Sequence, residues 1–213
     1  MSVGEALTFS DRELRDLALA WVALGVAFAV FFAGGGGGLV ALLSRGGFVV
    51  AVVVSLLTAG LGFLVHELAH KVVAVRFGQV AEFRADYGML FLAVVSALAG
   101  FIFAAPGAVY HRGVLSDREH GLIALAGPAV NLVLAVVFAP LLVVGSLAGV
   151  GFLELVGSRG VAINLFLAAF NMLPFGALDG RTVLDWSTAV FVGVFVPSVV
   201  VTVLVVFVLG VGF

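Results

Sequence analysis

Long apolar runs separated by short polar stretches dominate the chain. Uncharged runs extend from Asp16 to Arg45, from Arg45 to Glu67, from Glu119 to Glu154, from Arg159 to Asp179, and from Asp185 to the end. A helix needs about 20 apolar residues to cross a bilayer, and each run is about that long. The pattern therefore predicts membrane spans at about 17–43, 47–70, 121–147, 160–178 and 187–213.

A sixth apolar run, 88–107, is ambiguous, and the distribution of basic residues decides between two arrangements. If this run does not cross and the N-terminus is inside, eight basic residues lie inside: Arg12, Arg15, Lys71, Arg76, Arg84, Arg112, Arg118 and Arg181. Only Arg45 and Arg159 then lie outside, whereas a crossing run would move three of the eight outside. The positive-inside rule favours the first arrangement. We therefore expect 88–107 to enter the membrane and return, with the sequence FAAPG as its break.

Composition places the chain among membrane proteins. It is 63% hydrophobic and only 10% charged, whereas a soluble domain carries about 25% charged residues. The predicted fold class is an all-α polytopic membrane protein with a bundle of about five to six transmembrane helices, as one domain over 1–213. A net charge of −2 gives no indication of nucleic-acid binding, and the absence of Cys excludes disulfides and thiolate metal sites.

The motif HELAH at 66–70 carries the clearest chemistry. Residues four apart share a helix face, so His66 and His70 can bind one zinc ion, with Glu67 beside them as a proton acceptor. A catalytic zinc keeps three protein ligands, and the third is either Asp179 or Glu82. If 88–107 does not cross, Asp179 lies at the same end of the bundle as HELAH, which favours it. Glu82 follows His70 closely and would need a tight turn at Gly78 to reach back.

Three motifs together resemble the site-2 protease family of intramembrane zinc metalloproteases. They are His66-Glu67-Leu68-Ala69-His70, then Ala126-Gly127-Pro128-Ala129-Val130-Asn131, then Asn171-x-x-Pro174 leading to Leu178-Asp179-Gly180. They occur in the family's order and cover the core from about 47 to 186. One departure is Gly176, where the family often has a second proline.

The resemblance implies a mechanism and a set of partners. His66, His70 and Asp179 would bind one Zn²⁺ per chain, Glu67 would be the general base and acid, and Asn131 would position substrate or stabilise the oxyanion. A small re-entrant β element would follow the zinc helix, within 71–87. The expected substrate is a transmembrane client protein in the lipid bilayer of the cell. The N-terminus and the opening of the active site would be cytoplasmic, and an extended client could pair with a strand edge in 76–86.

Two alternatives stay open at this point. The stretch AEFRADYG at 81–88 resembles the downstream glutamate motif of HtpX-like membrane metalloproteases, which would make Glu82 the third ligand. The same stretch can also be interpreted as a solvated cluster of charged residues, Glu82, Arg84 and Asp86. The second alternative is a membrane zinc-binding or transport protein, against which the general base Glu67 beside His66 argues.

Three features receive structural interpretations. Asn164 is expected to form an interhelical hydrogen bond, while Asn171 is equally compatible with such a bond and with support of the Asp179 turn. The glycine run 34–38 is expected to reflect close helix packing or a frayed helix end, since glycine is common in membrane helices.

Overall fold

Helices make up most of the described chain. The computed structural model describes residues 7–103 and 105–212. Its helices are α1 (Asp11–Phe32), α2 (Gly36–Ser44), α3 (Phe48–Arg76), α4 (Tyr87–Leu98), α5 (Asp117–Ala148), α6 (Gly151–Asn171), α7 (Asp179–Trp186) and α8 (Thr188–Val208). Strands β1 (Val80–Ala85) and β2 (Gly107–Arg112) form a small antiparallel sheet. Within the described residues, α1, α3, α5, α6 and α8 are long and apolar enough to span a membrane. The predicted fold class is confirmed.

Successive long helices run antiparallel, which gives the bundle two distinct ends. Lys71 near the end of α3 bonds to Glu13 near the start of α1, and Gly121 at the start of α5 packs on Trp186 at the end of α7. We call this end the sheet end, because β1 and β2 also lie there. The opposite end carries the α2 region and the turn between α5 and α6.

Helix α3 contains an unusual turn just before the HELAH motif. Residues Leu56–Gly60 are π-helical, a feature that is common at functional sites. The indole Nε1–H of Trp21 donates to the Leu56 carbonyl oxygen at 3.0 Å. A Cβ at Gly60 would lie 2.6 Å from the Trp21 ring. The π-helical turn that precedes the HELAH motif is thus in contact with Trp21 of α1.

The segment between the two strands leaves the sheet and returns to its starting point. Ala85 pairs with Gly107 across the sheet, and the Asp86 N–H donates to the Pro106 carbonyl at 3.0 Å. In between, α4 packs along α1 as an apolar helix of only 12 residues. The segment therefore leaves the sheet and returns to it. Helix α4 ends at a turn around Gly100, whose φ of 90° suits glycine. The predicted break FAAPG includes Ala104, which lies outside the described residues.

The first predicted span, 17–43, is too long at one end. Helix α1 ends at Phe32, and a new helix begins at Gly36. Between them Gly34 and Gly35 have φ values of 89° and 81°, which side chains disfavour. A Cβ at Gly35 would also lie 2.9 Å from the Leu98 carbonyl oxygen at the end of α4. The glycine run thus ends the span and allows close approach to α4.

Helix α6 begins earlier than the predicted span 160–178. The turn between α5 and α6 involves only residues 149–150, and Glu154 and Arg159 lie inside α6. Glycine makes this tight antiparallel pair possible. A Cβ at Gly157 would lie 2.1 Å from the backbone nitrogen of Leu142, and one at Gly145 would lie 2.2 Å from that of Glu154. Small residues let membrane helices approach this closely, and this packing is not visible in a charge pattern.

Two acidic residues of α1 cover the outer edge of β1. The N–H of Phe83 donates to Glu13 Oε1 at 3.0 Å, and the N–H of Ala85 donates to Asp16 Oδ2 at 3.3 Å. Asp16 also accepts a hydrogen bond from Tyr87 at 2.5 Å. Buried backbone donors need partners in a low-dielectric interior, and here carboxylates of the first span supply them.

A buried ion pair joins α1 to the end of α3. Lys71 Nζ lies 2.5 Å from Glu13 Oε2, and both side chains are 1% exposed. Lys71 Nζ also donates to the Thr8 carbonyl at 2.6 Å and lies over the Phe9 ring. Lys71, which the sequence analysis counted among the basic residues on the inner side of the membrane, is therefore also buried in an ion pair within the protein.

We predict that Lys71→Met strongly destabilises the protein. The change leaves Glu13 buried without its counter-charge, which costs about 3–5 kcal/mol when a buried pair is broken. The melting temperature of the purified protein in detergent should fall clearly. The double variant Glu13→Gln/Lys71→Met should lose less, because no unpaired charge remains.

Arg181→Met is the matched control. It removes the exposed pair of Arg181 with Asp185, whose side chains are each 60% exposed, and such pairs contribute little. Equal melting temperatures for Lys71→Met and Arg181→Met would contradict a stabilising role for the buried pair.

Candidate metal centre

Two histidines of α3 face the carboxylate of Asp179. His66 Nε2 lies 3.2 Å from Asp179 Oδ2, and His70 Nε2 lies 3.5 Å from Asp179 Oδ1. Among the described residues, this is the group of three whose ligand atoms all lie within 4.8 Å of one another. Both histidines are buried. The structure thus brings together the three residues that the sequence analysis selected as metal ligands.

A tight turn delivers Asp179 to this position. Helix α6 ends at Asn171, seven residues earlier than the predicted span, and Asp179 is the first residue of α7. A Cβ at Gly180 would lie 2.1 Å from the Met172 carbonyl oxygen, so the chain folds back closely on itself. Gly176 has a φ of 66°, which a proline ring, locked near −65°, cannot adopt. The backbone at this position therefore explains why the chain has Gly176 where the family often has a second proline.

Hydrogen bonds hold the far side of each imidazole ring. His70 Nδ1 lies 2.7 Å from the Ile123 carbonyl oxygen, which can only accept, so this nitrogen carries the proton. His66 Nδ1 lies 2.6 Å from Asn131 Oδ1. With Nδ1 protonated on both rings, each Nε2 presents a lone pair toward Asp179. Such an outer partner is the usual arrangement for a metal-ligating histidine.

The donor set fits a zinc ion. Two imidazole lone pairs and a carboxylate converge, and Asp179 Oδ2 is buried without a hydrogen bond within the described residues. Ligands about 2.0–2.1 Å from a tetrahedral zinc lie about 3.3 Å from each other, and the distances here are 3.2 and 3.5 Å. A cation held by these three groups would also compensate the negative charge of the buried Asp179 carboxylate.

Gly127 of α5 keeps space open beside the histidines. A Cβ at this position would lie 2.4 Å from His66 Nε2 and 2.5 Å from His70 Nε2. The two atoms that would bind a metal therefore face a position where only glycine fits. The sequence analysis included Gly127 in a family motif without giving it a role.

Glu67 and Glu82 occupy different surroundings. Glu67 is 7% exposed and directly follows His66 on α3. Glu82 lies on the outer face of β1, where it is hydrogen-bonded to Ser10 and paired with Arg84 at 2.5 Å. These contacts hold the pKa of Glu82 below its ordinary value. The geometry favours Asp179 over Glu82 as the third ligand and agrees with the alternative interpretation of AEFRADYG as a charge cluster.

Asn131 lies behind the histidines rather than in front of them. Its Nδ2 donates to the Gly62 carbonyl at 3.1 Å and to Asn164 Oδ1 at 2.9 Å. The expected interhelical hydrogen bond of Asn164 is thereby confirmed. Asn171 donates to Leu167 O of its own helix at 3.0 Å. The partner of His70, the Ile123 carbonyl, is a backbone group and left no signal in the sequence.

The fold has five candidate membrane spans, and the site is a buried group of two histidines and one aspartate that could hold a metal ion, as in metalloproteases. Curated relatives include three that carry the name "Putative zinc metalloprotease". MJ0611 of Methanocaldococcus jannaschii is 40% identical over 197 residues, which cover 90% of this chain and 93% of that protein. YwhC of Bacillus subtilis is 32% identical over 148 residues, covering 61% and 67%. Rip3 of Mycobacterium tuberculosis is 37% identical over 139 residues, covering 61% and 31%.

The chain belongs to the site-2 protease family of zinc metalloproteases. The resemblance that the three motifs carried is thereby confirmed. No protein-family model matches the chain. No solved structure matches it either.

We predict that Asp179→Ala removes most of the zinc from the purified protein, whereas Glu82→Ala does not. Only Asp179 contributes a ligand atom to the group with His66 and His70. Elemental analysis of both variants beside the wild type measures the difference. Loss of zinc in Glu82→Ala with retention in Asp179→Ala would transfer the assignment to Glu82.

We also predict that Gly127→Ala prevents metal binding. The new methyl group would come within 2.4–2.5 Å of both Nε2 atoms. Isothermal titration with zinc measures the loss. Gly193→Ala is the matched control, because a Cβ at Gly193 meets nothing within 4 Å. Normal zinc affinity in Gly127→Ala would show that the metal does not bind between these atoms.

Proposed function

We propose that this protein is an intramembrane zinc protease that hydrolyses a peptide bond within or near a transmembrane segment of a client membrane protein. The observation that carries the proposal is the convergence of His66, His70 and Asp179 inside a helical bundle. Both histidines lie within α3, a candidate span that continues to Arg76. Ionisable groups at such positions are costly and usually functional. Membership of a metalloprotease family supplies the reaction class.

Glu67 is the residue that moves protons in this proposal. Zinc supplies Lewis acidity to the attacking water and the scissile carbonyl when it is bound. Glu67 takes the proton of the attacking water and then delivers it to the leaving nitrogen. Its neighbour His66, and His70 one turn later, would hold the metal ion, so one helix would carry both the proton acceptor and two of the ligands.

The proposed orientation places the sheet end in the cytoplasm. Eight basic residues belong to elements of this end: Arg12, Arg15, Lys71, Arg76, Arg84, Arg112, Arg118 and Arg181. Arg45 and Arg159 belong to the opposite end. Because cytoplasmic loops are enriched in Lys and Arg, the N-terminus and the entrance to the metal centre face the cytoplasm in this arrangement.

The proposed client docks on β2 rather than on β1. A helical client hides its scissile carbonyl in a hydrogen bond, so it must unwind, and a strand edge can hold the extended chain. The expected edge within 76–86 is occupied, because Glu13 and Asp16 accept the outward N–H groups of Phe83 and Ala85.

The register assigns the edge that is left. Phe83 and Ala85 of β1 point their N–H groups away from β2. The alternate residues of β1 therefore form the hydrogen-bonded pairs with β2, and one such pair is Glu82 with Tyr110. Backbone groups of Val109 and His111 therefore point to the outer side of β2. The docking position is this outer edge.

The test is cleavage of a membrane-embedded peptide. The zinc-loaded protein is reconstituted in liposomes with a fluorescent single-span peptide panel, and mass spectrometry locates the cut. Unfolded casein outside the liposomes is the control substrate. Cleavage within the spans supports the proposal, whereas cleavage of casein alone would contradict intramembrane action.

We predict that Glu67→Gln abolishes peptide cleavage while the protein still binds zinc. The amide keeps the size of the side chain but cannot accept the proton of water. Turnover and zinc content are measured on the same preparation. A variant that retains most of its turnover would remove Glu67 from the chemistry.

A further inference from the structure

A line of side-chain amides leads from α6 through α5 to His66. Asn164 Nδ2 donates to the Gly160 carbonyl at 2.8 Å, and this carbonyl can only accept. The amide orientation of Asn164 is therefore set, and its Oδ1 faces Asn131.

The second amide is oriented in the same way. Asn131 Nδ2 lies 3.1 Å from the Gly62 carbonyl oxygen and 2.9 Å from Asn164 Oδ1. Both partners are acceptors, so the nitrogen of Asn131 must face them. A flipped amide would place three oxygen atoms in contact without a proton. Asn131 Oδ1 consequently faces His66 Nδ1 at 2.6 Å and accepts a hydrogen bond from the Nδ1–H group.

This geometry leaves Asn131 without a donor for substrate. An amide group has two N–H donors, and here Gly62 and Asn164 use both. Asn131 and Asn164 are each 0% exposed. A group that stabilised an oxyanion would need a donor directed at the reacting carbonyl.

We infer that Asn131 is a positioning residue, which holds His66 in the Nδ1–H tautomer so that Nε2 faces the metal, and that Asn164 in turn holds Asn131. This differs from the substrate or oxyanion role that the family resemblance implied. The inference rests on the proposed metal site. His66 is thereby held by a hydrogen bond to α5, which a hydrogen bond to α6 supports in turn, and these two helices carry none of the three candidate ligands.

Zinc affinity distinguishes this role from oxyanion stabilisation. Asn131→Leu should weaken zinc binding about 10–100-fold, as is typical when the outer partner of a ligand is lost. Competition with a chelator measures the affinity. Wild-type zinc affinity combined with reduced peptide turnover would overturn the inference and favour the oxyanion role.

The coupling between the two asparagines is tested with a double variant. Asn164→Leu should weaken zinc binding in the same direction but less, because Asn131 keeps its bond to Gly62. Asn131→Leu/Asn164→Leu should bind zinc about as weakly as Asn131→Leu alone, since both act through one ligand. If the losses of zinc affinity in the two single variants added up in the double variant, Asn164 would not act through Asn131.

Ser198→Ala is the control. Ser198 is 1% exposed and donates to the Val194 carbonyl of its own helix α8 at 2.7 Å, so its replacement should leave zinc affinity unchanged. A loss of zinc affinity in Ser198→Ala as large as in Asn131→Leu would contradict the inference, because any buried polar group would then have the same effect.

A second measurement needs no metal and separates this inference from the proposed function. Imidazole ¹⁵N shifts of the metal-free protein report which ring nitrogen carries the proton. The wild type should show a proton on Nδ1 of His66 that is hydrogen-bonded to Asn131, and Asn131→Leu should lose this hydrogen-bonded signal. If the wild type binds no zinc, the proposed function fails, while this spectrum still shows whether Asn131 holds His66. An unchanged Nδ1 signal in Asn131→Leu would overturn the inference alone.

Discussion

The approach of the Asp179 carboxylate to the Nε2 atoms of His66 and His70 is the constraint on which the rest of the structure depends. Separations of 3.2 and 3.5 Å bring one carboxylate and two imidazole nitrogens within reach of a single cation. In a low-dielectric interior, a carboxylate without a counter-charge is expensive. The neighbouring elements are arranged so that the three groups meet at the same depth, with a position for a cation between them.

That meeting requires α3 and α6 to run in the same direction. The segment 86–106 returns to its starting point at the sheet, so it adds no crossing between them. Helix α5 then crosses once, and the tight turn before α6 brings the chain back. Gly157 and Gly145 permit the close contact of α5 with α6. A side chain at either position would separate the two helices and move Asp179 relative to His66.

Two sets of buried polar groups in this bundle satisfy each other's hydrogen bonds. Glu13 pairs with Lys71 and accepts an N–H of β1, while Asn131 and Asn164 complete each other's hydrogen bonds. The first set attaches α1 to the sheet and to the end of α3. The second supports the metal centre from α5 and α6. Unpaired polar groups in such surroundings are costly, so each set restricts how its helices can pack.

The sequence by itself determined the class of the protein and its candidate ligands. Uncharged runs mark spans because charges are costly in lipid, and the i, i+4 spacing of His66 and His70 is a local property of one helix. Only the tertiary structure decided which atoms support these ligands and where the elements end. The Ile123 carbonyl, the space beside Gly127 and the end of α1 at Phe32 depend on contacts between residues far apart in the chain. A hydropathy pattern is one-dimensional and carries no record of such contacts. The same holds for Asn131, whose role changes with the direction in which its amide points.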